Sequence, residues 1–198
     1  MNSIKIAQTA YPVLDIIKNR WSARSFSDKP IYENEMNTIL EAGSWAFSSM
    51  NEQPWRFIVA LKNTPLFDQL FSVLGGGNQP WCKNAAALVL TIGKKTYTSN
   101  GSINTVMLHD VGAANMLMTL QGNSMGIYSH VMGGYDAKKS VEIFNLGSDF
   151  EPVAMMVFGF LDEAEKLDEP YKTRELTGRT RKPLDELILP NGGQFGKQ

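Results

Sequence analysis

Ile103-Asn104-Thr105-Val106-Met107-Leu108-His109-Asp110-Val111-Gly112-Ala113-Ala114-Asn115-Met116-Leu117-Met118-Thr119-Leu120-Gln121-Gly122-Asn123-Ser124-Met125 is the longest helical stretch in the sequence. Its apolar residues, including Val106, Met107, Leu108, Val111, Ala114, Met116, Leu117, Met118 and Leu120, spread around the whole helical wheel. A helix that is apolar all round is buried all round. In a chain of 198 residues, one chain offers too little cover, so the pattern predicts a second subunit against this helix.

The flanking segments give the fold class. After the long helix, Ile127–Val131 reads as a short strand ending at Gly133-Gly134, Ala137–Asn145 as a helix, and Pro152–Leu161 as an apolar strand. Before it, Ala86–Ile92 is an unbroken apolar run, the mark of a strand covered on both faces. Pro65–Leu74 reads as a helix stopped by Gly75-Gly76-Gly77, and Trp55–Leu61 as a strand. Glu33–Ala46 is an amphipathic helix. Tyr11–Asn19 reads as another, with Pro12 in its first turn. Helices alternating with strands, and few hairpin signals, predict an α+β or α/β layer around one sheet. No segment marks a boundary, so residues 1–198 read as a single domain. From about residue 162 the composition turns polar, which predicts an arm.

Composition narrows the function. Lys plus Arg is 19 and Asp plus Glu 20, a net charge of -1. Such a chain has no global field for nucleic acid or an anionic membrane. No apolar run approaches the ~20 residues of a membrane span, and the first residues lack a signal-peptide core. One cysteine and two histidines argue against disulfides and metal sites. The expectation is a cytoplasmic protein without a metal. No G-x-G-x-x-G, P-loop or G-x-S-x-G pattern is present.

Three polar constellations remain. Arg20-Trp21-Ser22-Ala23-Arg24-Ser25-Phe26 places two guanidiniums around a hydroxyl at a predicted helix end. Arg179-Thr180-Arg181-Lys182 is a second basic knot near the other end. These two knots hold four of the six arginines in the chain. Taken singly, each is ordinary: a dipole-favouring arginine, a solvated turn. Together they suit a shared anion, because Arg offers bidentate, permanently charged donors. The third is Ser48-Ser49-Met50-Asn51-Glu52-Gln53-Pro54-Trp55. It gathers hydroxyls and amides before a strand, either as turn chemistry or as the rim of a polar ligand site.

Arg-x-Ser-x-Arg-x-Phe, Ser-Ser-x-Asn-x-Gln-Pro-Trp, a long buried helix, a Gly-Gly turn and Arg-x-Arg-Lys-Pro, in this order, resemble the nitroreductase family over about residues 13–188. The resemblance implies a three-layer α+β sandwich with a central mixed, mainly antiparallel sheet flanked by helices. It also implies an intertwined homodimer whose C-terminal arm, about residues 162–198, embraces the partner. FMN would sit at the interface, with NADH or NADPH as electron donor. Arg20, Arg179 and Arg181 match the family's phosphate contacts. Ser22 lies beside the flavin, with Trp21 bordering it, and Arg24 matches the basic residue near the N1/C2-carbonyl edge. Ser48, Ser49 and Asn51 match residues arriving from the partner. Asn78 falls near the pyrimidine edge, and Met132, Gly133 and Gly134 match the turn that approaches N5. Phe47 and Trp81 depart from the family pattern, Trp81 standing where some members place a lysine.

The activity so implied is ping-pong transfer of hydride from NAD(P)H, through flavin, to a nitroaromatic, quinone or similar electron-poor acceptor. Arg24 and Gly133 would tune the flavin, and no obligatory acid or base is evident; the chemistry belongs to the cofactor. Rival readings are a reductive dehalogenase, oxygen-dependent flavin chemistry, or a flavin-binding module without activity.

Overall fold

The computed structural model describes residues 3–188. Its elements run in chain order as α1 (Asp15–Asn19), α2 (Glu33–Ser44), β1 (Trp55–Leu61), α3 (Pro65–Ser72), α4 (Gln79–Cys82), β2 (Ala87–Lys94) and α5 (Met107–Ser124), then β3 (Ile127–Met132), α6 (Ala137–Ile143), β4 (Phe150–Phe160), α7 (Tyr171–Leu176) and α8 (Leu184–Leu187). Short 3-10 turns occur at Ser49–Asn51 and Ala164–Lys166.

Among the described residues the strands form one sheet in the order β1-β2-β4-β3. Every pairing is antiparallel. β2 lies between β1 and β4, which is why its apolar run is unbroken: seven successive residues are buried. Side chains alternate between two layers. Leu88, Leu90, Met155 and Val157 face a core completed by Trp21, Phe26, Leu70 and Trp81. Val89, Met156 and Phe158 face the opposite core, against Met36 and Ile39 of α2 and Met118 of α5. This is the three-layer α+β arrangement, with an all-antiparallel sheet. α2 and α5 approach closely at Gly43, where a Cβ would lie 2.5 Å from Met118 Cγ. A side chain there would force the two helices apart.

Two expectations need correction. The first helix is a single turn. Leu14 is extended (ψ 139°) and the helix begins at Asp15, so Pro12 lies outside it. The chain before Asp15 is drawn out along a cleft wall, where Val13 lines the opening. The long helix is shorter at its start than expected; as expected, its own chain does not bury it on all sides. Met107, Val111, Ala114 and Met118 are buried, while Leu108 and Met116 are at least half exposed. Its start is Met107 rather than Ile103, because Ile103 instead bridges Thr96 across a tight turn.

Residues 162–179 pack against their own chain. Asp162 N–H donates to the Ser25 carbonyl, and Tyr171 Oη donates to the Gly77 carbonyl. Residues 189–198, the end of the expected arm, lie outside the described residues.

Candidate functional site

The arginine knots from the two ends of the chain meet. Arg20, Ser22, Arg179 and Arg181 line one cleft of about 660 Å³. Its far wall is α5, through Gly112, Asn115, Met116 and Thr119, and β3, through Ser129 and Val131. Arg20 follows the single turn of α1, which turns its guanidinium toward the C-terminal segment. Arg179 is aimed by backbone: its Nη1 donates to the carbonyls of Lys5 (2.8 Å) and Lys18 (2.9 Å). Among the described residues Arg181 Nη1 donates only to the Thr180 carbonyl next to it.

The electrostatics of this cleft are unbalanced. Burial depresses the Arg20 pKa, and the charges of Arg179 and Arg181 depress it further. Burial and Arg181 do the same to Arg179. Arg20 and Arg179 nonetheless keep their charge. Among the described residues no carboxylate forms an ion pair with any of them. Like charges gathered without a counter-ion cost stability, and a bound anion would relieve that cost. The cleft also holds a buried acceptor without a partner, Asn115 Oδ1. Its amide Nδ2 is engaged by Thr91 Oγ1.

Arg24 is not among the residues lining that cleft. It is half-buried, with its guanidinium 5.7 Å from the Trp81 ring centre. Around it lies a second cluster. Trp81 packs on His130 with ring centres 4.7 Å apart, and Trp81 Nε1 donates to the Gly77 carbonyl. Asn78 Nδ2 and Gly75 N–H both donate to the Gly134 carbonyl, each at 2.9 Å. A Cβ on Gly134 would lie 2.8 Å from Asn78 Nδ2, so glycine is required for this contact. Gly133 is open, with nothing within 4 Å of where a Cβ would stand. Met132 is buried against Cys82, its sulfur 3.7 Å from Sγ. Trp21 and Trp81 are core residues, 7% and 2% exposed. They wall the site from behind and present no open ring face.

Ser48, Ser49 and Asn51 stand apart from both clusters, on a loop with unusual backbone. Met50, Asn51 and Gln53 all have positive φ (53°, 54° and 51°). Non-glycine residues rarely occupy this region, and each such residue costs on the order of 1 kcal/mol or more. Ser48 Oγ accepts from Gln53 N–H. Asp110 of α5 accepts the Ser49 N–H through Oδ2 at 3.0 Å. Tyr97 Oη lies 2.8 Å from Ser49 Oγ. Glu52 accepts from the Thr98 N–H and hydroxyl, at 2.8 and 2.6 Å.

Sequence reasoning missed Asp110, Tyr97, Glu52, Asn115, His130 and Glu175. A polar residue inside the apolar pattern of α5 signals Asp110 and Asn115. Nothing local signals the others, whose partners are distant in sequence. Burial, followed by the Arg24 charge, pushes His130 down to about 4, so it is neutral near pH 7. Its Nδ1 bonds the Ala23 carbonyl at 3.0 Å, which leaves Nε2 as an acceptor.

A second opening of about 580 Å³, lined by Lys95, Asn104, Leu108 and Asp149, contains none of the expected residues. No described helix is long and apolar enough to cross a membrane.

The chain and its fold have relatives among known proteins. A solved structure described as an oxidoreductase containing FMN superposes with a TM-score of 0.91 and 30% identity, covering 100% of both chains. A protein of Staphylococcus saprophyticus, provisionally named an NAD(P)H nitroreductase, is 32% identical over 107 residues, 54% of this chain and 48% of its own length. The match thus spans about half of that relative. A similarly named protein of Bacillus subtilis is 24% identical over 212 residues, 88% of this chain and 95% of that one. The Nitroreductase family model matches residues 17–160, from α1 to the end of β4. The chain is a member of the nitroreductase family.

Proposed function

We propose that the protein is an FMN-dependent oxidoreductase that moves hydride from NADH or NADPH to an electron-poor acceptor, a nitroaromatic, quinone or similar compound, and does so as a homodimer. The observation that carries this reading is the convergence of Arg20, Arg179 and Arg181 on one cleft without any carboxylate partner. A phosphate monoester carries close to two negative charges at pH 7, the ligand that three unpaired guanidiniums suit best. The names of the FMN-containing structure and of the NAD(P)H-named relatives supply the rest.

The residues present fit FMN. The three arginines and Ser22 would hold the phosphate. Asn115 Oδ1, a buried acceptor without a partner, suits a ribityl hydroxyl. Arg24 would lie at the pyrimidine end of the ring, with Asn78 and the Gly133-Gly134 turn at its edge. When bound, FMN supplies a centre that takes hydride from the nicotinamide and passes it to an acceptor, the two substrates using the same face in turn. The chain's contribution is to orient that group and to place fixed charge beside it. No side chain of the site is assigned as an obligatory proton donor.

The partner is inferred from what one chain leaves uncovered. Leu108, Met116, Trp45, Phe47, Met50 and Val131 are exposed, and Ser48, Ser49 and Asn51 lie off the cleft of their own chain. A second copy against α5 would cover the apolar face and bring those residues to the other chain's cofactor. The polar segment after residue 181 is read as the arm that holds the two chains together.

Mixing the purified apoprotein with FMN and measuring flavin fluorescence tests the reading. Quenching that saturates at one FMN per chain supports it. Absence of binding would refute it. Bound FMN that neither NADH nor NADPH reduces without oxygen would favour a flavin-binding module without activity.

A further inference from the structure

We propose that Glu175 is a positioning residue for the ring end of the site: its buried carboxylate fixes the Arg24 backbone, counters the Arg24 charge, and so sets the electron affinity of the bound flavin. This rests on the FMN reading above.

Glu175 sits on α7 and is 2% exposed. Carboxylates are almost never buried this far unless they are paired or hydrogen-bonded. Its Oε1 accepts the N–H groups of Arg24 (3.1 Å) and Ser25 (3.2 Å). Those donors lie in extended chain outside the sheet ladder, and buried N–H groups need a partner. A neutral amide could accept both bonds, so the hydrogen bonds alone do not account for a charge. The charge has its own neighbours. Burial raises the Glu175 pKa, and the two backbone bonds, Lys5 and Arg24 oppose that rise. Lys5 Nζ is already committed to the carbonyls of Arg174 (2.9 Å) and Thr177 (2.6 Å) at the end of the same helix. Arg24 makes no such bond and instead lies over the Trp81 ring.

Among the described residues the second carboxylate oxygen, Oε2, has no hydrogen-bond partner. The charged form is favoured by the two N–H donors and by the Lys5 and Arg24 charges. A buried carboxylate beside the cation nearest the flavin weakens the positive potential that the ring experiences. Lys5 and Arg174 also lie close enough to act on Arg24, and Glu175 is the carboxylate that offsets this gathered positive charge beside the Trp81 ring.

The test is Glu175→Gln, which keeps the acceptor and removes the charge. Its midpoint potential with FMN bound, measured by dye-equilibrated anaerobic titration, should move to more positive values than wild type, while FMN affinity changes by less than a few fold. An unchanged or more negative potential would overturn the proposal. Combined with Arg24→Gln, the shift caused by Glu175→Gln should shrink; strictly additive shifts would show that Glu175 does not act through Arg24. Glu175→Ala, which also releases the two N–H groups, should lower FMN affinity several-fold more than Glu175→Gln does, and equal affinities would overturn the anchoring role. Wild-type protein that binds no FMN at all would overturn the underlying reading instead, so the two failures are distinguishable.

Discussion

The Arg20–Arg24 segment and the Ser48–Gln53 loop are similar in length and in their supply of donors, yet the fold treats them differently. The first is built into its own chain from every side. Glu175 takes the N–H groups of Arg24 and Ser25, His130 bonds the Ala23 carbonyl, and Arg179 crosses from the other end of the sequence to meet Arg20 at one cleft. The second is held at its base by Asp110, Tyr97 and Thr98. Its crest and the chain leading into it are bare: Met50 is 87%, Trp45 80% and Phe47 67% exposed. Three left-handed residues keep that crest in a costly shape. A strained, braced and exposed loop is what a contact surface for another chain requires. A charged cleft closed from behind is what a phosphate requires. The comparison thus separates the part of the proposed site that one chain completes from a loop that, in the proposed homodimer, meets a second copy.

Four changes would break or sharpen this division. The largest effect is expected from charging the uncovered face of α5. Leu108→Asp would place a carboxylate at an apolar contact outside the arginine cleft. The dimer should dissociate in sedimentation at micromolar concentration, and FMN retention should be lost with it. A variant that stays dimeric would show that α5 is not the contact.

Next is Arg20→Ala, which removes a charge-assisted contact of about 1.5–3 kcal/mol, roughly 10- to 100-fold in Kd for FMN. Arg181→Ala should follow the same direction with little loss of Tm, since among the described residues that side chain bonds only its neighbour's carbonyl. Equal Kd values in wild type and both variants would remove the phosphate role.

The third concerns the buried half. His130 is held at about 4, against an ordinary 6.5. Between those values the unfolded chain binds the extra proton, so stability is full above about 6.5 and declines as pH falls toward 4. His130→Phe should flatten the fall of Tm across that window, and an unaltered slope would contradict the buried neutral imidazole.

The smallest is Ser49→Ala, which deletes one neutral hydrogen-bonding hydroxyl, worth about 0.5–1.5 kcal/mol. Its use is in mixing. Arg20→Ala chains re-associated with Ser49→Ala chains should give heterodimers with one intact and one doubly impaired site, half of the sites thus binding FMN at wild-type strength. If instead each chain's defect stays with that chain's own site, Ser49 serves its own cleft.

The sequence made some of this architecture readable and hid the rest. Strand β1 stands at its expected Trp55–Leu61 bounds, because the run is dense in β-formers and bounded by Pro54 and Asn63. The apolar run of β2 revealed a central strand, since both faces of that strand are buried. The long helix was found, and its own chain leaves part of it uncovered as expected: periodicity reports that a face is apolar, and only packing reports what covers it. The two arginine knots pointed to an anion through composition alone. Their meeting depends on Arg179 being aimed by the Lys5 and Lys18 carbonyls, a contact across more than 150 positions that no local pattern encodes. Glu175 was invisible for the same reason. Its sequence surroundings are those of an exposed polar helix, and its burial comes entirely from where α7 docks.

The central claim is that Arg20, Arg179 and Arg181 form a phosphate cleft for FMN. It is tested most directly by comparing FMN with riboflavin, which lacks the phosphate, in binding titrations at low and high salt. The account predicts that FMN binds far more tightly than riboflavin and that salt narrows the gap, with Arg20→Ala abolishing most of it. Equal affinity for the two flavins, unaffected by salt or by Arg20→Ala, would contradict it.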